Sequence, residues 1–188
     1  DLVFRKGRRL RAHDLGALTG IGVSSLPVFR RPSVALISTG DEIVDVDSEP
    51  RPGQVRNINQ HSLAGMIEEC GAEIKDLGVI RDDRQDLGDA LKMALDWADL
   101  VLLSGGSSVC ARDIALDAIA SLGAAEILFH GISVSPGKPT IFAKAGGKPV
   151  LGLPGYPVSA LVIFDLIAMP LIRVLGGEDA TAACRLNH

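Results

Sequence analysis

At 188 residues the chain suits one domain with a short appended piece, and 47% hydrophobic against 22% charged residues excludes a disordered chain. A net charge of −4 gives no overall attraction to nucleic acid or to an anionic membrane surface, so neither is expected as a partner. Aromatic residues make up only 4%, leaving Leu, Ile, Val and Ala to build the core, the balance found where helices cover both faces of a parallel sheet.

Residues 1–31 read as the remnant of a preceding domain and a linker. Arg5, Lys6, Arg8, Arg9, Arg11, Arg30 and Arg31 crowd this part of the chain, either as a solvated basic surface or domain junction, or as an anion-attracting rim. A short helix is expected around Asp14 to Leu18, capped by His13 or Asp14 and stopped near Gly20 to Gly22. From residue 32 the pattern becomes regular. Val34-Ala35-Leu36-Ile37 predicts a strand, followed by a loop with Pro50, Pro52 and Gly53 that is too irregular for helix or strand. Leu63, Met66, Ile67 and Cys70 mark one face of a helix that Gly71 stops. Ile74 to Ile80 is a second strand. A helix capped by Asp86 follows, with Leu87, Ala90, Leu91, Ala94, Leu95 and Ala98 inward.

Leu100 to Leu103 is an aliphatic strand that runs into Ser104-Gly105-Gly106-Ser107-Ser108, and the next helix opens at about Asp113. Ile127 to Val134 is expected as a strand, and the segments at 140–143 and 150–153 flank Gly146-Gly147 as a hairpin. A long apolar helix begins at about Pro157, a residue suited to a first turn. The expected fold is α/β: three αβα layers around a mostly parallel sheet, with an antiparallel hairpin at one edge. The domain spans 32–177, and 178–188 form a tail.

Cys70, Cys110 and Cys184 are far apart and make no C-x-x-C pair, which fits a reducing compartment without a zinc site. The most apolar stretch, 158–172, is interrupted by Asp165 and Pro170 and is short for a membrane span. No signal-peptide pattern precedes the first strand. A cytoplasmic location is expected. The histidines show no ligand spacing. Cys110 follows the serine loop, where a helix N-terminus lowers a thiol pKa; without a partner base it is assigned to packing.

In open α/β sheets ligands bind beyond the C-terminal ends of the strands. Four polar, glycine-rich segments occupy such positions: Ser38-Thr39-Gly40-Asp41-Glu42, Ser104 to Ser108, Ser135-Pro136-Gly137-Lys138-Pro139 and Leu153-Pro154-Gly155-Tyr156-Pro157. Paired glycines after a buried strand let backbone N–H groups face an anion, although the same segment alone is also an ordinary βα turn. No G-x-G-x-x-G occurs, and Pro139 after Lys138 breaks the phosphate-binding lysine loop pattern. Lys138, between Gly137 and Pro139, suits a phosphate or oxyanion as a point charge, or is a plain surface lysine. Asp41, Glu42, Asp82, Asp83 and Asp113 gather at the same strand ends. Such hard oxygen donors suit Mg²⁺ held together with substrate phosphates, while Asp113 alone would serve as a helix cap and Asp82 and Asp83 as turn residues.

Together, Ser38-Thr39-Gly40-Asp41-Glu42-Ile43-Val44, Ser104-Gly105-Gly106-Ser107-Ser108, Arg112-Asp113, Pro136-Gly137-Lys138-Pro139 and Leu153-Pro154-Gly155-Tyr156-Pro157-Val158-Ser159-Ala160 resemble the molybdopterin-binding domain shared by MoeA-type molybdenumtransferases and MogA-type molybdopterin adenylyltransferases. The resemblance covers about Asp1 to Gly177, and the order of the motifs is far more specific than any one of them. Thr39 to Glu42, the Pro-Gly-Lys-Pro loop and the stretch from Lys6 to Pro32 look like the molybdenumtransferase branch. That branch inserts molybdate into adenylated molybdopterin with Mg²⁺ and releases AMP.

The resemblance then implies that Asp82 and Asp113 are catalytic and bind the metal beside the adenylated phosphate. Ser104, Gly105, Gly106, Ser107 and Ser108 would cradle the pterin phosphate. Catalytic Lys138 would lie near the oxyanion with Pro136, Gly137, Pro139, Pro154, Gly155, Tyr156 and Ser159, and Thr39, Gly40, Asp41 and Glu42 would bind substrate. It also implies further domains and a homo-oligomeric partner that complete the cleft. Cys110 stands where the family usually has glycine, and Tyr156 where many members have asparagine. The adenylyltransferase branch and a non-catalytic pterin-binding module are the alternatives.

Overall fold

The computed structural model describes residues 2–105 and 109–183, with side chains described outside 109–112 and 182–183. A first helix, α1 (Ala12–Gly20), precedes the domain proper. Its cap is Arg11 rather than His13 or Asp14. The Asp14 carboxylate instead accepts the Arg11 N–H at 2.9 Å and the Arg8 guanidinium at 2.7 Å, so it is buried as a paired group. The Arg8 hydrogen bond comes first among the effects that hold its pKa below the usual carboxylate range.

Six strands form the main sheet: β1 (Ser33–Thr39), β4 (Glu73–Ile80), β5 (Leu100–Gly105), β6 (Glu126–His130), β7 (Ile141–Ala145) and β8 (Lys148–Leu153), in the order β4-β1-β5-β8-β7-β6. The strands β4, β1, β5 and β8 run parallel. β7 is antiparallel to both β8 and β6. The hairpin is therefore only half at the edge: β8 completes the parallel set, and β6, shorter than the expected 127–134 strand, forms the border. The loop at 40–56 is not wholly irregular. Two-residue strands β2 (Ile43–Val44) and β3 (Val55–Arg56) pair in parallel, a contact between residues too few to leave any periodicity in sequence.

Alternation along the buried strands sorts side chains to two faces. Ala35, Ile37, Val101 and Leu103 pack against Leu87, Leu91 and Ala94 of α3 (Arg84–Trp97) and Ala118 and Ile119 of α4 (Val109–Ala120). Val34, Leu36, Leu100, Leu102 and Leu151 pack against Leu63 and Ile67 of α2 (Ile58–Glu69) and against the C-terminal helix. The three expected layers are present. α3 is capped by Asp83, whose carboxylate accepts the N–H groups of Gln85 and Asp86, so Asp86 lies inside the first turn and is not the cap. α4 starts at Val109, four residues before the expected opening at Asp113, which places Asp113 beyond the capping position.

The C-terminal helix runs continuously from Pro157 to Leu175, as α5 (Pro157–Ile163), a π-turn (Phe164–Ala168) and α6 (Met169–Leu175). Pro170 has no N–H to donate, and the helix widens one turn before it. Over 19 residues with mean hydropathy 2.2 it is long and apolar enough to cross a membrane, contrary to the length argument from sequence. Ala160, Ile163, Phe164, Ala168 and Ile172 are nonetheless buried against the sheet, which accounts for an apolar stripe without a bilayer.

Asp99 joins the N-terminal segment to the sheet. The hydrogen bonds of the Arg30 guanidinium, one at 2.7 Å, are the main cause holding its carboxyl at about 2 rather than 3.8, helped by the Ser33 N–H. Because the folded pKa is depressed, this contribution to stability is full above about pH 4 and is lost as pH falls through about 2. With Arg30 70% exposed, Arg30→Ala should lower stability only modestly at neutral pH. Denaturant unfolding from pH 5 to 2 should find the gap between native and variant closing on acidification; a constant gap would contradict it.

Candidate functional site

The register brings the ends of four strands to one rim. Thr39 ends β1 opposite both Ile80 of β4 and Gly105 of β5, and Ser104 pairs with Leu153 of β8. Because β6 and β7 are antiparallel, the segment between His130 and Ile141 returns to the same rim, where Ile141 faces Gly152. The four glycine-rich segments singled out in the sequence therefore meet. Of the residues assigned to the second one, Gly106, Ser107 and Ser108 lie outside the described residues, as do the side chains of Cys110 and Arg112.

On the α3 side, the buried Thr39 hydroxyl donates to Asp82 Oδ1 at 2.6 Å, and the Asp82 N–H donates to Asp41 Oδ1 at 3.3 Å. These contacts link the loops after β1 and β4. They fix one oxygen of Asp82 on a half-buried side chain; among the described residues its other oxygen has no hydrogen-bond partner. Gly105 presses on the same strand end: a Cβ there would lie 1.8 Å from the Thr39 carbonyl oxygen, and its φ of +143° also requires glycine. Gly40 is buried, Asp41 exposed and Glu42 half-buried.

Opposite them, the Lys138 loop is braced from within. Thr140 Oγ1 donates to the Gly137 carbonyl at 2.6 Å, and the Ile132 N–H donates to the Lys138 carbonyl at 2.9 Å. Gly137 lies against Ile163 of α5 so closely that a Cβ would meet its Cδ1 at 2.3 Å. The backbone is held while the Lys138 side chain projects into solvent, with Pro136 exposed and Pro139 half-buried. Pro154 is buried, Gly155 turns the chain, and Tyr156, 70% exposed, occupies the cap position of α5. Ser159 is half-buried in the first turn.

Asp113 is exposed and lies just inside the rim end of α4. It makes no hydrogen bond with Asp82 among the described residues, and no cluster of three or more His, Cys, Asp or Glu side chains able to hold a metal occurs among them either. The donors present, a few carboxylate oxygens on separate loops, are too sparse for an all-protein cage. Mg²⁺ asks less of the protein, since it keeps several waters and shares its remaining positions with ligand phosphates.

A cavity of about 770 Å³ lies elsewhere. Its walls include Lys6, Arg8, Arg30 and Arg31, with Cys70 at the end of α2 and Arg173 of α6. Pro32 and Gly71, which line it, precede β1 and β4, so it opens at the opposite edge of the sheet. The basic N-terminal cluster thus is not an anion-attracting part of the rim.

Asn59 was absent from the sequence-derived site. It is buried under the rim and donates to Ser104 Oγ at 2.8 Å and to the Gly155 carbonyl at 2.9 Å. The signal was there: Asn59, Leu63 and Ile67 share one helical stripe, and a polar residue on a buried stripe asks for partners.

Residues 35–174 match the family described as "probable molybdopterin binding domain". The chain belongs to the molybdopterin-binding domain family. The molybdopterin molybdenumtransferases of Nostoc sp. and Haemophilus influenzae are 39% and 35% identical to it, over 90% and 95% of this chain. A crystal structure of the molybdopterin biosynthesis MoeA protein from Pyrococcus horikoshii superposes with a TM-score of 0.81 at 42% identity, covering 92% of this chain and 42% of that one. The chain spans 39% and 44% of the length of the two curated relatives. Nearly all of this chain is thus matched, within proteins more than twice as long.

Proposed function

We propose that this molybdopterin-binding domain is the substrate-holding core of a molybdenumtransferase that inserts molybdate into adenylated molybdopterin and releases AMP. The observation that carries the proposal is the meeting of the Thr39–Glu42, Asp82, Ser104–Gly105, Lys138 and Pro154–Tyr156 loops at one rim, in a chain whose relatives bear that name. Cleaving a phosphoanhydride requires positioning and charge neutralisation more than a protein nucleophile. Backbone N–H groups after β5 would hold the pterin phosphate, and the Lys138 ammonium would pair with the oxyanion. Asp82, oriented by Thr39, and Asp113 would hold Mg²⁺, which when bound offsets the negative charge of the phosphates. Asp41 and Glu42 follow the end of β1 at the same rim.

A cytoplasmic location and a homo-oligomer belong to the same proposal. The C-terminal helix supports the second, since Val158 is 67% exposed, Val174 39% and Leu175 37%.

The test supplies the protein with adenylated molybdopterin, molybdate and Mg²⁺. AMP release that depends on molybdate is the expected result. Adenylation of molybdopterin from Mg-ATP would instead place it in the adenylyltransferase branch, and pterin binding without either reaction would make it a non-catalytic module.

A further inference from the structure

Asn59 sits in the first turn of α2 and is 7% exposed. One hydrogen bond from its amide nitrogen reaches Ser104, the residue before Gly105 at the end of β5. The other reaches the carbonyl of Gly155, in the turn between β8 and α5. These partners stand 45 and 96 residues away in sequence, yet a single side chain spans both. Both amide hydrogens are used. Among the described residues the amide oxygen has no partner, and neither does the fully buried hydroxyl of Ser38. Ser38 is the register neighbour of Ser104 on the adjacent strand, so its side chain leaves the sheet on the same face.

Packing does not account for this arrangement. Leucine would fill a similar volume beside Leu63 without burying an oxygen that lacks a donor. What leucine cannot do is tie the two loops together. The residue type is suited to its two donors.

We propose that Asn59 is a positioning residue: by bridging Ser104 and Gly155 it sets the spacing between the Ser104–Gly105 end of β5 and the Pro-Gly-Tyr turn after β8, so that both engage one pterin ligand. This rests on the functional proposal above. The helix dictates the direction of the amide, because the Asn57 cap anchors the start of α2 by accepting the Gln60 N–H at 3.2 Å. The bridge is thereby referenced to a rigid element rather than to another loop.

The test measures equilibrium binding of molybdopterin and the thermal midpoint for the native protein and three variants. Asn59→Leu preserves core packing and removes both donors. Asn59→Asp keeps the shape, removes the donors and sets an oxygen against the Gly155 carbonyl. Asn57→Ala weakens the same helix without touching either loop, and so reports what general loosening of α2 does to affinity. Both Asn59 variants should lose molybdopterin affinity by at least about tenfold, whereas Asn57→Ala should change it by less than about threefold even if its midpoint falls as far. Asn59→Leu binding as tightly as the native protein, or Asn57→Ala weakening binding as much, would overturn the positioning role while leaving the functional proposal intact. A native protein that does not bind molybdopterin would overturn both.

Discussion

Gly105→Ala should lower the thermal midpoint by roughly 10–15 °C, the largest stability effect expected from a single methyl group in this domain. The added Cβ would lie 1.8 Å from the Thr39 carbonyl oxygen, and that oxygen belongs to backbone within the central strand pair. A flexible side chain could rotate away; a paired strand cannot. Relief requires the ends of β1 and β5 to part, and a residue with a side chain is also strained at φ +143°. Overpacking and backbone strain together come to about 3–5 kcal/mol, a large share of a typical domain's total of about 5–15 kcal/mol. Gly65→Ala is the control. Gly65 is exposed on α2 with nothing within 4 Å of its added Cβ, so the substitution should be neutral or stabilising by up to about 1 kcal/mol. Thermal unfolding of the two variants decides it, and a Gly105→Ala midpoint within 3 °C of the native value, on the order of 1 kcal/mol, would contradict the steric account.

Asp82→Asn should reduce turnover by about 10²–10³-fold at unchanged thermal stability. The amide retains an oxygen for the Thr39 hydroxyl, whose 2.6 Å hydrogen bond holds the side chain in place, so the geometry survives while the charge is lost. A group that only shaped the turn after β4 would tolerate this exchange. A group that holds a divalent ion against phosphate would not. Thr39→Val completes the argument, since it removes the orienting hydroxyl but keeps the carboxylate; a smaller loss of about tenfold is expected. Steady-state AMP release for each variant across a range of Mg²⁺ concentrations is the measurement. Asp82→Asn with native turnover at every Mg²⁺ level would remove Asp82 from the catalytic assignment.

Much of the architecture was legible because it depends on local chemistry repeated along the chain. Continuous aliphatic runs at 34–37 and 100–103 marked strands buried on both faces, and both are fully buried central members of the sheet. The 3.6-residue stripe at Leu87, Leu91 and Ala94 marked the helix face that covers them. Helix starts were less legible. Asp83, Asp86 and Asp113 are all plausible caps by residue type, and only backbone geometry selected Asp83 for α3 and moved the start of α4 back to Val109. The described parts of the four glycine-rich segments lie at one edge of the sheet, because a loop after a parallel strand has only one edge to occupy.

Amino-acid order alone thus determined the layered α/β class, the buried aliphatic strands and which glycine-rich segments border the rim, since patterning and turn chemistry are properties of short windows. Tertiary structure alone decided which oxygen of Asp82 Thr39 engages, that Gly105 abuts the Thr39 carbonyl, that Asn59 bridges two loops, and that the basic cluster surrounds a cavity at the far edge. Each of these depends on strand register and on the depth at which a helix docks, and those follow from how the whole core packs rather than from any single segment.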